Sequence, residues 1–197
     1  MADPAQTRNL VQQILQDEGQ LNGIIHSAGV IRDAFIANKT EAELLDVLAP
    51  KVAGTLALDN ATQDCNLDFM VLFSSLSSAF GNAGQADYAC ANGFMDGFAL
   101  WRNQQVANGL RRGKTLALNW PLWRDGGMGI SAPDAELLRQ QTGLIPMPTD
   151  AGIRALILGL QSQESQLAVI YGEAEKFRPD SLRGQRPPIR RPCINRI

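Results

Sequence analysis

The sequence predicts an α/β fold: a doubly wound parallel sheet of about four strands with helices on both faces. Three observations point there. Short apolar runs of strand length alternate with stretches of helical periodicity, and a helix-length segment separates each run from the next, as right-handed crossovers between parallel strands require. The run Phe69 to Ser74 shows no polar alternation, which is the pattern of a strand buried on both faces. With 197 residues, 45% hydrophobic and 19% charged, the chain can bury one sizeable core and does not have the composition of a disordered protein.

The elements follow in order. Asp3-Pro4 places a capping side chain and then a proline at a helix start, and Leu10, Val11, Ile14 and Leu15 form one apolar stripe that ends near Gly19. A strand is expected at Leu21 to His26. Thr40 and Glu43 have capping-box spacing ahead of Leu44, Leu45 and Leu48, and Pro50 should interrupt that helix before a second segment runs from Lys51 to about Thr62. After the strand at Phe69, the spacing of Phe94, Phe98 and Trp101 predicts a helix from Asp87 to about Ala107, stopped by Gly109. The next strand is Thr115 to Trp120. A Gly-rich stretch, Asp125 to Gly129, precedes two weaker helices, Asp134 to Gln141 and Thr149 to Gln161, and a last strand at Leu167 to Tyr171.

Charge and composition exclude several functions. The net charge of −2 divides into +5 for Arg178 to Ile197, with six arginines and one aspartate, and −7 for the rest. A body this acidic has no electrostatic reason to bind nucleic acid. The proline- and arginine-rich segment 178–197 reads as a linker, with an acidic partner the other possibility, and residues 1–177 as the folded domain. No apolar stretch approaches the roughly 20 residues needed to span a bilayer, and no secretory signal opens the chain. Cys65, Cys90 and Cys193 are odd in number and lack CxxC spacing, which argues against disulfides or a zinc site and for a reducing cytoplasmic setting.

A doubly wound sheet binds its ligand at the carboxyl ends of its strands. Those ends read His26-Ser27-Ala28-Gly29, Ser74-Ser75 and Asn119-Trp120-Pro121. The densest cluster lies at residues 73–92, where Ser75, Tyr88 and, one helical turn later, Asn92 would point into one crevice. A phenol has an ordinary pKa of about 10, so acid–base work near neutral pH needs a nearby cation, for which Lys51 is the candidate. Taken singly, Tyr88 reads better as a half-buried core tyrosine and Lys51 as a solvated helix residue.

Taken together, HSAGV at 26–30, PKVAGT at 50–55, VLFSSLSS at 71–78, GQADYACAN at 84–92 and LNWPLW at 118–123 resemble the ketoreductase domain of modular polyketide synthases, a branch of the short-chain dehydrogenase/reductase superfamily. Lysine stands upstream of the tyrosine, at Lys51, with Asn92 where most superfamily members carry it; this exchanged arrangement is that of polyketide and animal fatty acid synthase ketoreductases. The resemblance implies NADPH-dependent reduction of a β-ketoacyl chain on the phosphopantetheine arm of an acyl carrier protein. It implies Tyr88 as proton donor, Ser75 as hydrogen-bond donor to the ketone oxygen, Lys51 as electrostatic support for the tyrosinate and contact for the cofactor ribose, and Asn92 as holder of the lysine or of a relay water. His26, Ser27, Ala28, Gly29 and Pro121 would lie along the cofactor. For stereocontrol, Ile31-Arg32-Asp33 keeps only the last residue of the Leu-Asp-Asp signature, and Phe80 replaces the tryptophan of the opposite class. Both favour a D-hydroxy, B-type product, although Asp33 also reads as an ordinary loop aspartate. Trp123 and Met128 would form part of a lid over the acyl chain.

No Gly-rich turn between a strand and a helix suits a pyrophosphate, since Gly126 to Gly129 follows a late strand without a marked helix after it. The resemblance therefore implies an incomplete Rossmann-type sheet whose first three strands and Gly-rich turn are absent. The strand at Leu21 to His26 should then be an exposed edge, NADPH binding poor, and an N-terminal half of the domain required beside the neighbouring synthase modules. A fatty acid synthase ketoreductase and a non-catalytic half-domain remain the alternative readings.

Overall fold

The computed structural model describes residues 2–173, 175 and 176. The proposed linker at 178–197, with Cys193, lies outside the described residues. Among the described residues no helix is long and apolar enough to cross a membrane.

Four strands form one parallel sheet in the order β1 (Gly23–His26), β2 (Phe69–Ser75), β3 (Lys114–Trp120), β4 (Gln166–Ala168). The helices are α1 (Pro4–Glu18), α2 (Glu41–Ala61), α3 (Leu76–Phe80), α4 (Ala86–Ala107), α5 (Ala132–Thr142) and α6 (Thr149–Gln161), with a single 3₁₀ turn at Ile36–Asn38. Local chemistry sets the ends. The Asp3 carboxylate caps α1 by accepting from the Ala5 and Gln6 amides, and Gly19 closes it with φ 76°, a left-handed conformation that glycine adopts without Cβ strain. Thr40 and Glu43 form the expected capping box at α2.

Pro50 does not interrupt α2, which runs unbroken from Glu41 to Ala61. Its ring removes the amide that would bond the Asp46 carbonyl, but Asp46 is exposed, so water can supply the missing donor. The last strand is shorter than expected, three residues in place of five, and a short helix, α3, follows β2 directly.

The alternation along β2 and β3 divides the core. Met70, Leu72 and Ala117 face α1, α2 and α4, together with Val11, Leu58, Met95 and Phe98. Val71, Leu116 and Leu118 pack with Ala155 of α6 and Leu167 of β4. The strands advance in one direction across the sheet, so crossovers of one hand would all pass over one face. The connection through α5 and α6 passes over the other, opposite in hand to the first two. The near face beside β4 is already filled by α3, whose Leu76 and Phe80 pack with Ala168 and Leu144.

Two features position the site. Arg102 of α4 is fully buried and ties three elements together: it donates to Asp59 of α2 at 2.7 Å, to Thr115 of β3 at 2.9 Å and to the Gly113 carbonyl at 2.9 Å. At the other side of the sheet, β1 pairs only with β2 among the described residues and forms an edge there, as the sequence led us to expect. Ile25, on the face that α6 covers elsewhere, is 51% exposed.

Candidate active site

The carboxyl ends of β1, β2 and β3 open into a cleft of about 800 Å³. Ser27, Gly29, Asp33, Lys51, Ser75, Tyr88, Pro121, Trp123 and Met128 line it. His26, Ala28, Phe80 and Asn92 do not.

Ser75 ends β2 and caps α3. Its Oγ accepts from the Ser77 amide at 3.1 Å, which occupies a lone pair and leaves the hydroxyl proton to be donated. Tyr88 lies in the first turn of α4, buried, with its hydroxyl 3.8 Å from the Met128 sulfur. Burial pushes the Tyr88 phenol above its ordinary pKa, with Asp33 adding to the rise, while the side chains of Asn92 and Ser75 work against it. The phenol therefore holds its proton at neutral pH, the state a donor needs.

Lys51 projects from α2 and is 3% exposed. Its ammonium donates to the Phe73 carbonyl at 2.9 Å, approaches the Met95 sulfur at 3.9 Å, and stands 5.6 Å from the centroid of the Tyr88 ring. Burial lowers its pKa to about 8, with Asp96 pulling in the opposite direction. Lys51 thus stands near the Tyr88 ring, and strand backbone holds it there. Asn92 instead donates its amide to the Tyr88 carbonyl at 2.7 Å, an i−4 bond along α4, and its buried Oδ1 has no partner.

His26 is fully buried, with Nε2 3.0 Å from the Pro50 carbonyl. Burial and then the Lys51 charge lower its pKa, so the ring is neutral and ties β1 to α2. Phe80 is buried in the cluster of Leu76, Leu144 and Ala168 and does not itself line the cleft. Asp33 accepts from Gln85 Nε2 at 2.9 Å, so the loop after β1 and the approach to Tyr88 form one wall. Trp123 stacks on Phe73 at 6.4 Å and meets Trp120 edge-on at 4.9 Å, an aromatic floor beneath the Met128 segment.

Sequence reasoning missed Asp96. Burial raises its pKa, and it accepts from Ser78 at 2.6 Å and from Asn119 at 3.0 Å, behind Ser75 and beside Lys51. A signal was present: Asp96 follows Asn92 by four residues and Tyr88 by eight, on the inward stripe of α4.

Gly29 sets the room at the carboxyl end of β1. A Cβ on Gly29 would stand 3.0 Å from Lys51 Cε and 3.4 Å from its Nζ, so a larger residue there would crowd the lysine beside the β1 end.

Comparison with known proteins identifies the family. A structure of a short-chain dehydrogenase from Streptomyces avermitilis matches over 92% of this chain with a TM-score of 0.70; at 19% identity that likeness concerns the fold alone. The two share one architecture. A family model described as "KR domain" matches residues 1–125. Polyketide synthase PksL of Bacillus subtilis (strain 168) is 49% identical over 178 residues, 90% of this chain and 4% of that protein, and PksN of the same organism is 47% identical over 173 residues, 88% and 3%. A crystal structure of a ketoreductase domain from the bacillaene assembly line superposes with a TM-score of 0.87 at 46% identity, covering 89% of this chain and 42% of that one. The chain belongs to the KR domain family, the ketoreductase domains of polyketide synthases. It spans a few per cent of the length of its curated relatives and less than half of that ketoreductase structure.

Proposed function

We propose that this chain is the catalytic part of a polyketide synthase ketoreductase, which reduces a β-ketoacyl chain on the phosphopantetheine arm of an acyl carrier protein to the β-hydroxyacyl form with NADPH. The observation that carries this reading is the convergence of Ser75, Tyr88 and Lys51 on one cleft at the strand ends, with Gly29 small enough to admit the lysine. Residues 1–177 act as the C-terminal portion of the domain and 178–197 as a linker to the neighbouring synthase modules. An N-terminal segment outside this chain holds the adenine and phosphates.

The cofactor supplies hydride to the ketone carbon. The chain does the rest. Ser75 donates a hydrogen bond to the ketone oxygen as negative charge grows there, and Tyr88 transfers its proton to the same oxygen. The Lys51 ammonium, close to the ring, stabilises the tyrosinate left behind until water reprotonates it. Asn92 keeps the first turn of α4 wound under Tyr88 through its bond to the Tyr88 carbonyl. Asp33 and Gln85 bound one side of the substrate, Met128 and Trp123 the other, and the retained Asp33 supports a D-hydroxy, B-type product.

The test pairs the chain with an N-terminal nucleotide-binding segment, either from its own upstream coding sequence or from the bacillaene ketoreductase. The pair should oxidise NADPH in the presence of a β-ketoacyl N-acetylcysteamine thioester, whereas the chain alone should neither do so nor bind NADPH at micromolar concentration. Tyr88→Phe should lower the rate of the pair by about 100-fold or more. A folded, stable pair without reductase activity would make the chain an inert half-domain and overturn the proposal.

A further inference from the structure

One ion pair near the site has no part in the proton transfer described above. Lys39, at the end of the loop after β1, reaches Asp87 with Nζ 2.7 Å from Oδ2, and the two side chains are 4% and 1% exposed. The same ammonium donates to the Arg32 carbonyl at the beginning of that loop. The other oxygen of Asp87 accepts the amide of Tyr88 at 2.9 Å. A single buried cation thus grips both ends of the 32–39 loop and the residue that precedes the phenol.

Two further contacts join the same pair of segments. The Ala34 amide donates to the Gly84 carbonyl at 3.0 Å, and Gln85 donates to Asp33 at 2.9 Å. Gln85 in turn accepts from Ser77 of α3 at 2.9 Å. Asp33, Gln85 and Tyr88 all line the cleft, so these links set the distance between the wall that a substrate meets and the hydroxyl that protonates it. Among them Lys39–Asp87 is the charged and buried one. Removing one charge leaves the other without a counterion in a dry place, which forces the loop or the helix start to move.

We propose that Lys39 and Asp87 are a positioning pair that holds the Asp33 wall in register with Tyr88 and so fixes which face of the ketone is reduced. The inference rests on the ketoreductase reading. In that chemistry hydride arrives from one direction, and the hydroxyl configuration depends on how the acyl chain lies between the wall and the phenol. A wall free to shift by about 1 Å admits the opposite orientation and costs rate through misalignment.

The experiment uses the reconstituted pair with a racemic α-methyl-β-ketoacyl N-acetylcysteamine thioester, and reads both kinetics and the stereoisomer ratio of the hydroxy product. Wild type should give one dominant isomer. Lys39→Met should reduce kcat about tenfold, change KM by less than about threefold, and move the isomer ratio towards unity. Lys39→Arg should restore the ratio, since it keeps a cation of similar reach. Asp87→Asn is nearly isosteric and keeps an acceptor for the Tyr88 amide, so it provides the same test if Lys39→Met does not fold. An unchanged isomer ratio in either folded variant would refute the positioning role. An inactive wild-type pair would instead refute the ketoreductase reading on which the inference rests.

Discussion

Lys51 holds its charge in a place that resists it. Desolvation brings its pKa down to about 8, and Asp96 limits the fall. An ordinary lysine titrates near 10.4, so Lys51 should show a midpoint near 8 when its side-chain resonances are followed by NMR. Asp96→Asn should lower that midpoint further, because it removes the one charge that raises it. A midpoint above 10 in wild type would contradict the burial described for this residue. The consequence for stability has a definite sign. Between about pH 8 and 10.4 the unfolded chain binds the proton that folded Lys51 has released, so this site makes the protein more stable as pH rises through that window. Catalysis should run the other way, since a neutral lysine no longer supports a tyrosinate. At this scale the sequence was informative about identity and poor about contacts. Lys51 and Tyr88 were found together through the motifs around them, but the carbonyl that holds the lysine belongs to Phe73, a strand residue whose side chain gives no hint of that role.

Elements carry these residues to the cleft through packing that leaves little slack. Gly152 of α6 lies directly beneath Trp123, and a Cβ there would stand 2.1 Å from the Trp123 ring. Gly152→Ala should displace the indole from its stack on Phe73 and cost about 1–3 kcal/mol by overpacking. Urea denaturation would measure the loss, and tryptophan fluorescence the movement; unchanged stability with an unmoved indole would show that α6 can retreat freely. The amphipathic and capping patterns made α1, α2, α4 and α6 legible beforehand, since caps and apolar stripes act within a few residues. Pro50 misled because a missing amide is harmful only where no other donor can reach the orphaned carbonyl, and exposure of Asp46 is a tertiary fact. The reversed hand of the last crossover was likewise hidden, because it depends on α3 having filled the face beside β4.

The whole molecule is asymmetric about its sheet. β4 is packed on both faces, by α3 and α6, whereas β1 has Ile25 open on one face; each pairs with a single neighbour among the described residues. Edge strands of this kind open first and invite pairing. Hydrogen exchange should therefore find residues 23–26 the least protected of the sheet in the isolated chain, less so than β2 and β3. Protection at β1 should rise when the N-terminal segment binds; equal protection with and without it would mean that the segment docks elsewhere.

The amino-acid sequence determined the class of fold, the order of its main elements and the set of reactive residues, because these depend on local periodicity, capping and motifs that act over short separations. It did not reveal how those residues hold one another. Asp96 behind Lys51, Arg102 across three elements, Lys39 on Asp87 and Phe80 turned into the core all join positions distant in the chain. Such contacts are decided by which faces become buried together, and burial is settled only when the sheet and its helices have packed.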